Sequence, residues 1–283
     1  APVILFLSGG PGGTEIGTLR NQWSAIERAF TVVVWDQTGA GLNGRCWPRA
    51  RLTLERVLAD AEGVLQYVAD RFGRHPTVVG NSWGTFLGVL LVQARPDLVQ
   101  AYVGTGQMAD LRATDVLFYE DTLAWAHAQG RSDVADELLA QGPPPYDSMY
   151  PYEEAFAHEG DWNAWDRDPA VGAAVNPLAN VVDKPELDPV AKVRYLANLI
   201  DTFSVLYPQV QDFDLRRDAA SLAVPVYLAQ GVHEARGRAV LARAWFDGLD
   251  APHKEWIDFP HSGHKAFGEE PEAFLALLRR VAA

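Results

Sequence analysis

Short apolar runs, many of them β-branched, alternate with longer stretches of helical periodicity at both ends of this 283-residue chain, and this alternation constrains the fold most. The predicted strands are Val3–Leu7, Thr31–Trp35, Thr77–Val79, Leu98–Val103, Val224–Ala229 and Lys254–Phe259. The predicted helices are Thr18–Ala29, Thr53–Phe72, Trp83–Arg95, Arg238–Gly248 and Pro271–Val281. Strands joined by helices pair in parallel, with helices on both faces. The pattern therefore predicts an α/β fold with a mostly parallel sheet.

The alternation stops between residues 113 and 217. Helix-like patterns dominate there, at 115–129, 132–141 and 190–207, interrupted by three consecutive prolines and an aromatic-rich stretch. We predict one core formed by residues 1–112 and 218–283, split by a helical insertion at 113–217. Insertions at the carboxyl ends of parallel strands usually lie over the ligand crevice, so we expect this one to be a lid.

Composition and charge exclude several classes of protein. The net charge of −13 disfavours nucleic acid, which needs a basic surface, and no apolar run approaches the roughly 20 residues of a membrane helix. The single cysteine, Cys46, excludes an internal disulfide and is compatible with the cytoplasm. The histidines lack the HExxH pattern, so we expect neither a metal nor another cofactor. The expected partner is a small-molecule or short-peptide substrate, and the oligomeric state is left open.

The chain opens directly on a strand-like run, PVILFL, without an initiator methionine. We expect that a further segment normally precedes it. If early strands are absent from the sheet, Val3–Leu7 would lie at an exposed edge or beside a partner strand.

The segment Gly80-Asn81-Ser82-Trp83-Gly84 matches G-x-S-x-G between a predicted strand and a predicted helix. A serine that acts as a nucleophile at such a sharp turn needs close backbone packing, which the flanking glycines permit. A small-residue turn without a function is the alternative, but the strand–turn–helix context favours a nucleophile at Ser82.

A nucleophilic serine needs a histidine base and an acid that orients it, in the chain order Ser, acid, His for this architecture. His264 follows the last strand, and its small neighbours would let its ring turn inward, which favours it over His261. Glu234 is the carboxylate in the loop after Val224–Ala229. The alternative is that Glu234 pairs with a nearby arginine and that Asp110 is the acid.

The oxyanion of an acyl-transfer reaction needs two backbone donors. The N–H of Trp83, which follows the nucleophile, is one candidate. The loop Ser8-Gly9-Gly10-Pro11-Gly12-Gly13 follows the first strand and can supply the other, from Gly10 or from its neighbour Gly9. This loop lacks the patterns of nucleotide-binding loops, so it does not indicate a phosphate site.

Together these segments resemble the α/β-hydrolases of the proline iminopeptidase type. The matching segments occur in the family's order: SGGPG (8–12), DQTGAGLN (36–43), GNSWG (80–84), GVHEARG (231–237) and SGH (262–264). Four positions depart from the family pattern: Ser8 for His, Thr38 for Arg, Asn43 for Ser, and Glu234 for Asp. The departures leave the nucleophile, base and oxyanion donors in place, but they weaken the transfer of substrate specificity.

The resemblance implies an aminopeptidase that releases N-terminal residues through an acyl-enzyme, with lid carboxylates that bind the substrate's amine. The expected substrate-binding residues are Gly9, Glu153, Trp162 and Asp166, although a charged lid surface with buried tryptophans is an equal interpretation. A carboxylesterase or lactonase for small apolar acyl groups is the alternative enzyme. A hydrolase-fold module that binds ligands without catalysis is the alternative outside the enzyme class.

Overall fold

Six parallel strands form the centre of the computed structural model, which describes residues 1–44, 47–176, 181 and 187–283; Cys46 lies outside these ranges. The strands are β1 (Val3–Leu7), β2 (Thr31–Trp35), β3 (Thr77–Asn81), β4 (Ala101–Thr105), β5 (Val226–Gly231) and β6 (Lys254–Phe259). Their order in the sheet is β2-β1-β3-β4-β5-β6, and every neighbouring pair is parallel. The predicted α/β fold is confirmed.

Helices of the core connect these strands or follow the last of them. They are α1 (Ile16–Gln22), α2 (Ser24–Glu27), α3 (Leu54–Phe72), α4 (Trp83–Ala94), α12 (Arg236–Gly248), α13 (Ala266–Glu269) and α14 (Pro271–Val281). Between β4 and β5 lie α5 (Leu111–Gln129), α6 (Ser132–Gln141), α7 (Met149–Ala157), α8 (Glu159–Trp162), α9 (Pro169–Ala174), α10 (Pro189–Leu206) and α11 (Leu215–Asp218). We call residues 111–218 the helical segment. In the ranges that the structure describes, no helix is long and apolar enough to cross a membrane.

The two faces of the sheet carry separate apolar clusters. Because side chains alternate along a strand, Val3, Leu5 and Leu7 of β1 enter one cluster, with α3, α4 and α12. Ile4 and Phe6 enter the other, with α1, α2 and α14. All five β1 residues are buried, as expected for a parallel strand covered on both faces.

The expectation of an exposed edge or a partner strand at Val3–Leu7 is wrong. β1 pairs with β2 on one side and with β3 on the other, so it is an inner strand. β2 forms this edge of the sheet, and its residues are only partly buried.

Tertiary contacts change some predicted boundaries. The helix predicted at Thr18–Ala29 is interrupted at Trp23, whose buried indole donates from Nε1 to the carbonyl of Phe267 at 2.8 Å and packs edge-on against Phe6. The strand predicted from Leu98 begins only at Ala101, since Pro96 opens a short 3₁₀ turn. The aromatic stretch that we treated as an interruption contains α7 and α8.

Candidate active site

Ser82 lies in a strained turn between β3 and α4. Its φ of 54° and ψ of −123° place it in the positive-φ region, where it is the only residue other than glycine among those described. The flanking glycines are required because a Cβ on Gly84 would lie 2.0 Å from the carbonyl oxygen of Leu7. A Cβ on Gly80 would likewise lie 2.5 Å from the oxygen of Gly84. The sheet and the helix therefore approach too closely for any side chain, and they fix the serine between them.

His264 and Glu234 meet in the loops that follow β6 and β5. His264 Nδ1 lies 2.7 Å from Glu234 Oε2. The backbone of His264 is also held, because Asn81 beside the serine donates from Nδ2 to its carbonyl oxygen at 3.1 Å. Gly106 contacts the imidazole, and a Cβ there would lie 2.7 Å from the ring. Glu234 thus orients the imidazole, while Asn81 holds the backbone of His264 and Gly106 leaves room for the ring.

The Glu234 carboxylate is fully buried and charged. Burial by itself would raise its pKa, but the charges of Arg238 and His264, together with their hydrogen bonds, outweigh burial and hold the pKa at about 2. Oε1 accepts hydrogen bonds from Arg238 Nε at 2.7 Å and from the Ala235 N–H at 2.8 Å. Glu234 therefore contacts an arginine and the histidine at once, so its pairing with an arginine does not exclude a role as the orienting acid.

Ser82 and His264 line one cavity of about 250 Å³, together with Gly10 and Trp83. We call it the serine cavity. Trp83 is the first residue of α4, so its N–H has no partner within the helix. Its indole Nε1 donates to Gln37 Oε1 at 2.9 Å, which anchors the side chain. Gly9 lies close to the serine as well, since a Cβ on it would be 3.3 Å from Ser82 Cβ.

The helical segment contributes two carboxyl groups to the serine cavity, Asp115 from α5 and Glu159 from α8. Asp115 accepts hydrogen bonds from the Tyr207 hydroxyl at 2.8 Å and from Gln211 Nε2 at 3.1 Å. Burial raises the pKa of Asp115 to about 7, although these hydrogen bonds act in the opposite direction. Apolar side chains of the segment form much of the remaining wall, among them Leu111, Phe118, Phe156 and Phe203.

A second cavity, of about 490 Å³, contacts His264 and is more polar. Asn163, Trp165 and Arg167 of the helical segment line it, with Lys265 and Glu269 of the core. Trp165 stacks on the His233 ring at a centroid distance of 4.5 Å. His264, Glu159 and Phe156 line both cavities.

Other residues considered from the sequence lie elsewhere. Asp110 caps α5 by accepting the Ala113 N–H at 2.9 Å and pairs with Arg216. His261 is exposed. Glu153 and Asp166 are also exposed, and neither lines the serine cavity. Trp162 donates from Nε1 to Thr122 Oγ1 at 2.9 Å, which places it in the packing of the helical segment.

Sequence reasoning missed the place of Asp115 in the site and favoured Glu153 and Asp166 over Glu159 among the acids of the helical segment. Helical spacing could have revealed Asp115, because it shares the buried face of α5 with Leu111 and Phe118. No local pattern marks Glu159, whose helix has only four residues.

Comparisons with known proteins agree with the α/β fold. A family model described as the alpha/beta hydrolase fold matches residues 2–271. A probable aminopeptidase of Bacillus subtilis is 26% identical over 99% of this chain and 89% of its own. A putative carbamate hydrolase of Enterobacter cloacae is 25% identical over 98% and 90%. The crystal structure of a proline iminopeptidase-related protein from Thermus thermophilus superimposes with a TM-score of 0.63 at 17% identity, covering 99% of this chain and 88% of that one.

Proposed function

Because the chain belongs to the alpha/beta hydrolase family, we propose that this hydrolase is a serine hydrolase with Ser82 as nucleophile, His264 as base and Glu234 as orienting acid. The observation that carries the proposal is the 2.7 Å contact between His264 Nδ1 and Glu234 Oε2, in loops that bring the imidazole to the cavity of Ser82. Such a contact holds Nδ1 protonated and leaves Nε2 free to accept a proton.

The reaction follows from these positions. Ser82 Oγ attacks the substrate's carbonyl carbon while His264 Nε2 takes its proton, and the N–H groups of Trp83 and Gly10 stabilise the oxyanion. His264 then gives the proton to the leaving group, which departs and leaves an acyl-enzyme. Water, deprotonated by the same imidazole, attacks the acyl carbon and restores the Ser82 hydroxyl. Glu234 stays ionised throughout and stabilises the imidazolium.

We further propose that the substrate is a peptide from which the N-terminal residue is released. The serine cavity, at about 250 Å³, suits a small acyl group with apolar contacts. Asp115 and Glu159 provide acceptors there for the amine of that residue. The polar second cavity beside His264 offers room for the departing peptide. The resemblance to proline iminopeptidases and the aminopeptidase name of a relative support the same substrate class.

The helical segment would then act as the lid over the acyl group. Residues from it form one side of the serine cavity, while the 1–112 and 218–283 core supplies the nucleophile, the base and the acid. A lid at 113–217 is consistent with this division.

An esterase or lactonase is the second candidate. The apolar side chains around Ser82 favour it, since they would accept an acyl group without an amine. Wild-type protein and Ser82→Ala should therefore be compared on prolyl-p-nitroanilide, its N-acetylated form and p-nitrophenyl butyrate. We expect the free-amine anilide to be cleaved, with loss of turnover on acetylation and in the variant. Turnover of the butyrate ester alone would favour the esterase, and a Ser82→Ala protein with wild-type turnover would exclude the mechanism.

A further inference from the structure

Arg238 lies buried between two carboxylates that come from different parts of the fold. Its Nε donates to Glu234 Oε1 at 2.7 Å, and its Nη2 contacts Glu159 Oε1 of the helical segment. The guanidinium also lies over the Phe118 ring, 4.6 Å from the centroid. Only 10% of the Arg238 side chain is exposed. The arginine is therefore a bridge between the acid beside His264 and a helix that covers the serine cavity.

Glu234 needs such a partner. A glutamate has one more rotatable bond than an aspartate, so a buried glutamate must be fixed more firmly to present one oxygen to an imidazole. Oε2 faces His264 Nδ1, and Oε1 accepts from both Arg238 and the Ala235 N–H. The planar guanidinium constrains direction as well as distance, which a lysine ammonium does not. Because Arg238 holds Oε1, Oε2 is the carboxylate oxygen that meets the histidine.

We propose that Arg238 is a positioning residue that holds Glu234 toward His264, and that Glu159 couples this arrangement to the placement of the helical segment. The proposal rests on the serine-hydrolase function above. When α8 lies over the cavity, Glu159 neutralises the arginine and completes its hydrogen bonding. When α8 moves away, Arg238 loses this partner, and its uncompensated charge acts on the Glu234–His264 pair. The position of the helical segment would therefore set how strongly the Arg238 charge acts on His264.

The charges predict opposite effects of the two partners on the pH dependence. A neutral imidazole is needed to take the Ser82 proton, and a nearby positive charge favours the neutral form. Removing the Arg238 charge should therefore move the acid limb of the pH–rate profile to higher pH, and removing the Glu159 charge should move it to lower pH. Among the described residues, the other charged or titratable groups around this chain of contacts are Asp115, His233, Lys265 with its partner Glu15, and Glu269 with its partner Arg167.

The test measures the rate at which a fluorophosphonate labels Ser82 between pH 5 and 9, because labelling needs the activated serine but no known substrate. The variants are Arg238→Gln, Arg238→Lys and Glu159→Gln, each also in an Asp115→Asn background so that titration of Asp115 does not contribute. Arg236→Gln is the matched control, since Arg236 is exposed and pairs with Asp121 outside the cavity. Thermal melts establish that each variant is folded.

We expect Arg238→Gln to label about 10- to 100-fold more slowly, as misplacement of a catalytic group by about 1 Å can cause. The labelling rate of Arg238→Lys should be closer to that of wild type, and the rate of Arg236→Gln should equal that of wild type. Equal labelling by Arg238→Gln and wild type, or acid limbs that move in the same direction in Arg238→Gln and Glu159→Gln, would overturn the inference. If Arg238→Gln does not fold, Glu159→Gln decides: an acid limb that does not move to lower pH in this variant would overturn the inference. Failure of the wild-type protein to label would instead refute the proposed function.

Discussion

Replacing Asp115 by asparagine should change how the stability of the protein depends on pH. The Asp115 carboxyl is buried in α5 beside the serine cavity, with the Tyr207 hydroxyl and Gln211 Nε2 as its hydrogen-bond donors. The buried Gln211 Oε1 has no partner. Rotation of that amide by 180° would present Oε1 to the hydroxyl of a protonated Asp115, or to the amide of an asparagine. Asparagine therefore matches the site in shape and can keep a hydrogen bond to Gln211.

The expected change in the free energy of unfolding follows from the shift in the pKa of Asp115. Burial raises the pKa of Asp115 from its ordinary value of 3.8 to about 7 in the folded protein. A raised pKa means that the folded state holds the proton more tightly than the unfolded state does. The stabilising contribution is thus fully present below pH 3.8 and is lost as the pH rises to about 7. At about 1.4 kcal/mol per pH unit, roughly 2 kcal/mol is lost between pH 5.5 and 7.

Urea unfolding of wild type and Asp115→Asn at several values between pH 5.5 and 8 measures this difference. The asparagine variant should gain about 2 kcal/mol in free energy of unfolding relative to wild type over that range, because contributions from other groups cancel. Asp136→Asn, at an exposed position of α6, is the matched control and should show a constant difference. A difference between Asp115→Asn and wild type that does not vary with pH would refute the reasoning.

Further substitutions test the elements that build the site. Glu234→Gln should lower kcat by roughly 10³- to 10⁴-fold with little change in KM, measured by steady-state kinetics, because the imidazole loses its charged acceptor. Gly84→Ala should lower the thermal midpoint by roughly 6–10 °C in calorimetry, because its Cβ would lie 2.0 Å from the Leu7 oxygen. Gly106→Ala should reduce kcat while circular dichroism stays native, because its Cβ would lie 2.7 Å from the His264 ring. A native thermal midpoint in the first glycine variant, or full activity in the second, would contradict these expectations.

The sequence predicts the sheet well because its signals are local. The inner strands β1, β3, β4 and β5 are short, mostly apolar runs, as burial on both faces of a parallel sheet requires. One of the boundaries that differ depends on a distant contact. Trp23 interrupts a helix because its indole reaches the carbonyl of Phe267, which lies 244 residues further along the chain. No window of the sequence around Trp23 contains that information.

The placement of the three proposed catalytic residues at one edge of the sheet is also predictable from the sequence. Ser82, Glu234 and His264 each follow a predicted strand, and the carboxyl ends of parallel strands meet at one edge of the sheet, so chain order alone brings them together. The residues of the helical segment that reach the cavity are set by the packing of its helices. Glu159 lines the serine cavity, whereas Glu153, six residues earlier, points to solvent. Resemblance to a family cannot separate two such acids.

The most direct test of the central claim is to locate the covalent adduct that a fluorophosphonate forms with the native protein. Peptide mapping by mass spectrometry should find one adduct, on Ser82, formed more slowly in Glu234→Gln and absent in Ser82→Ala. An unmodified protein, or an adduct on a different residue that persists in Ser82→Ala, would contradict the assignment of Ser82 as the nucleophile.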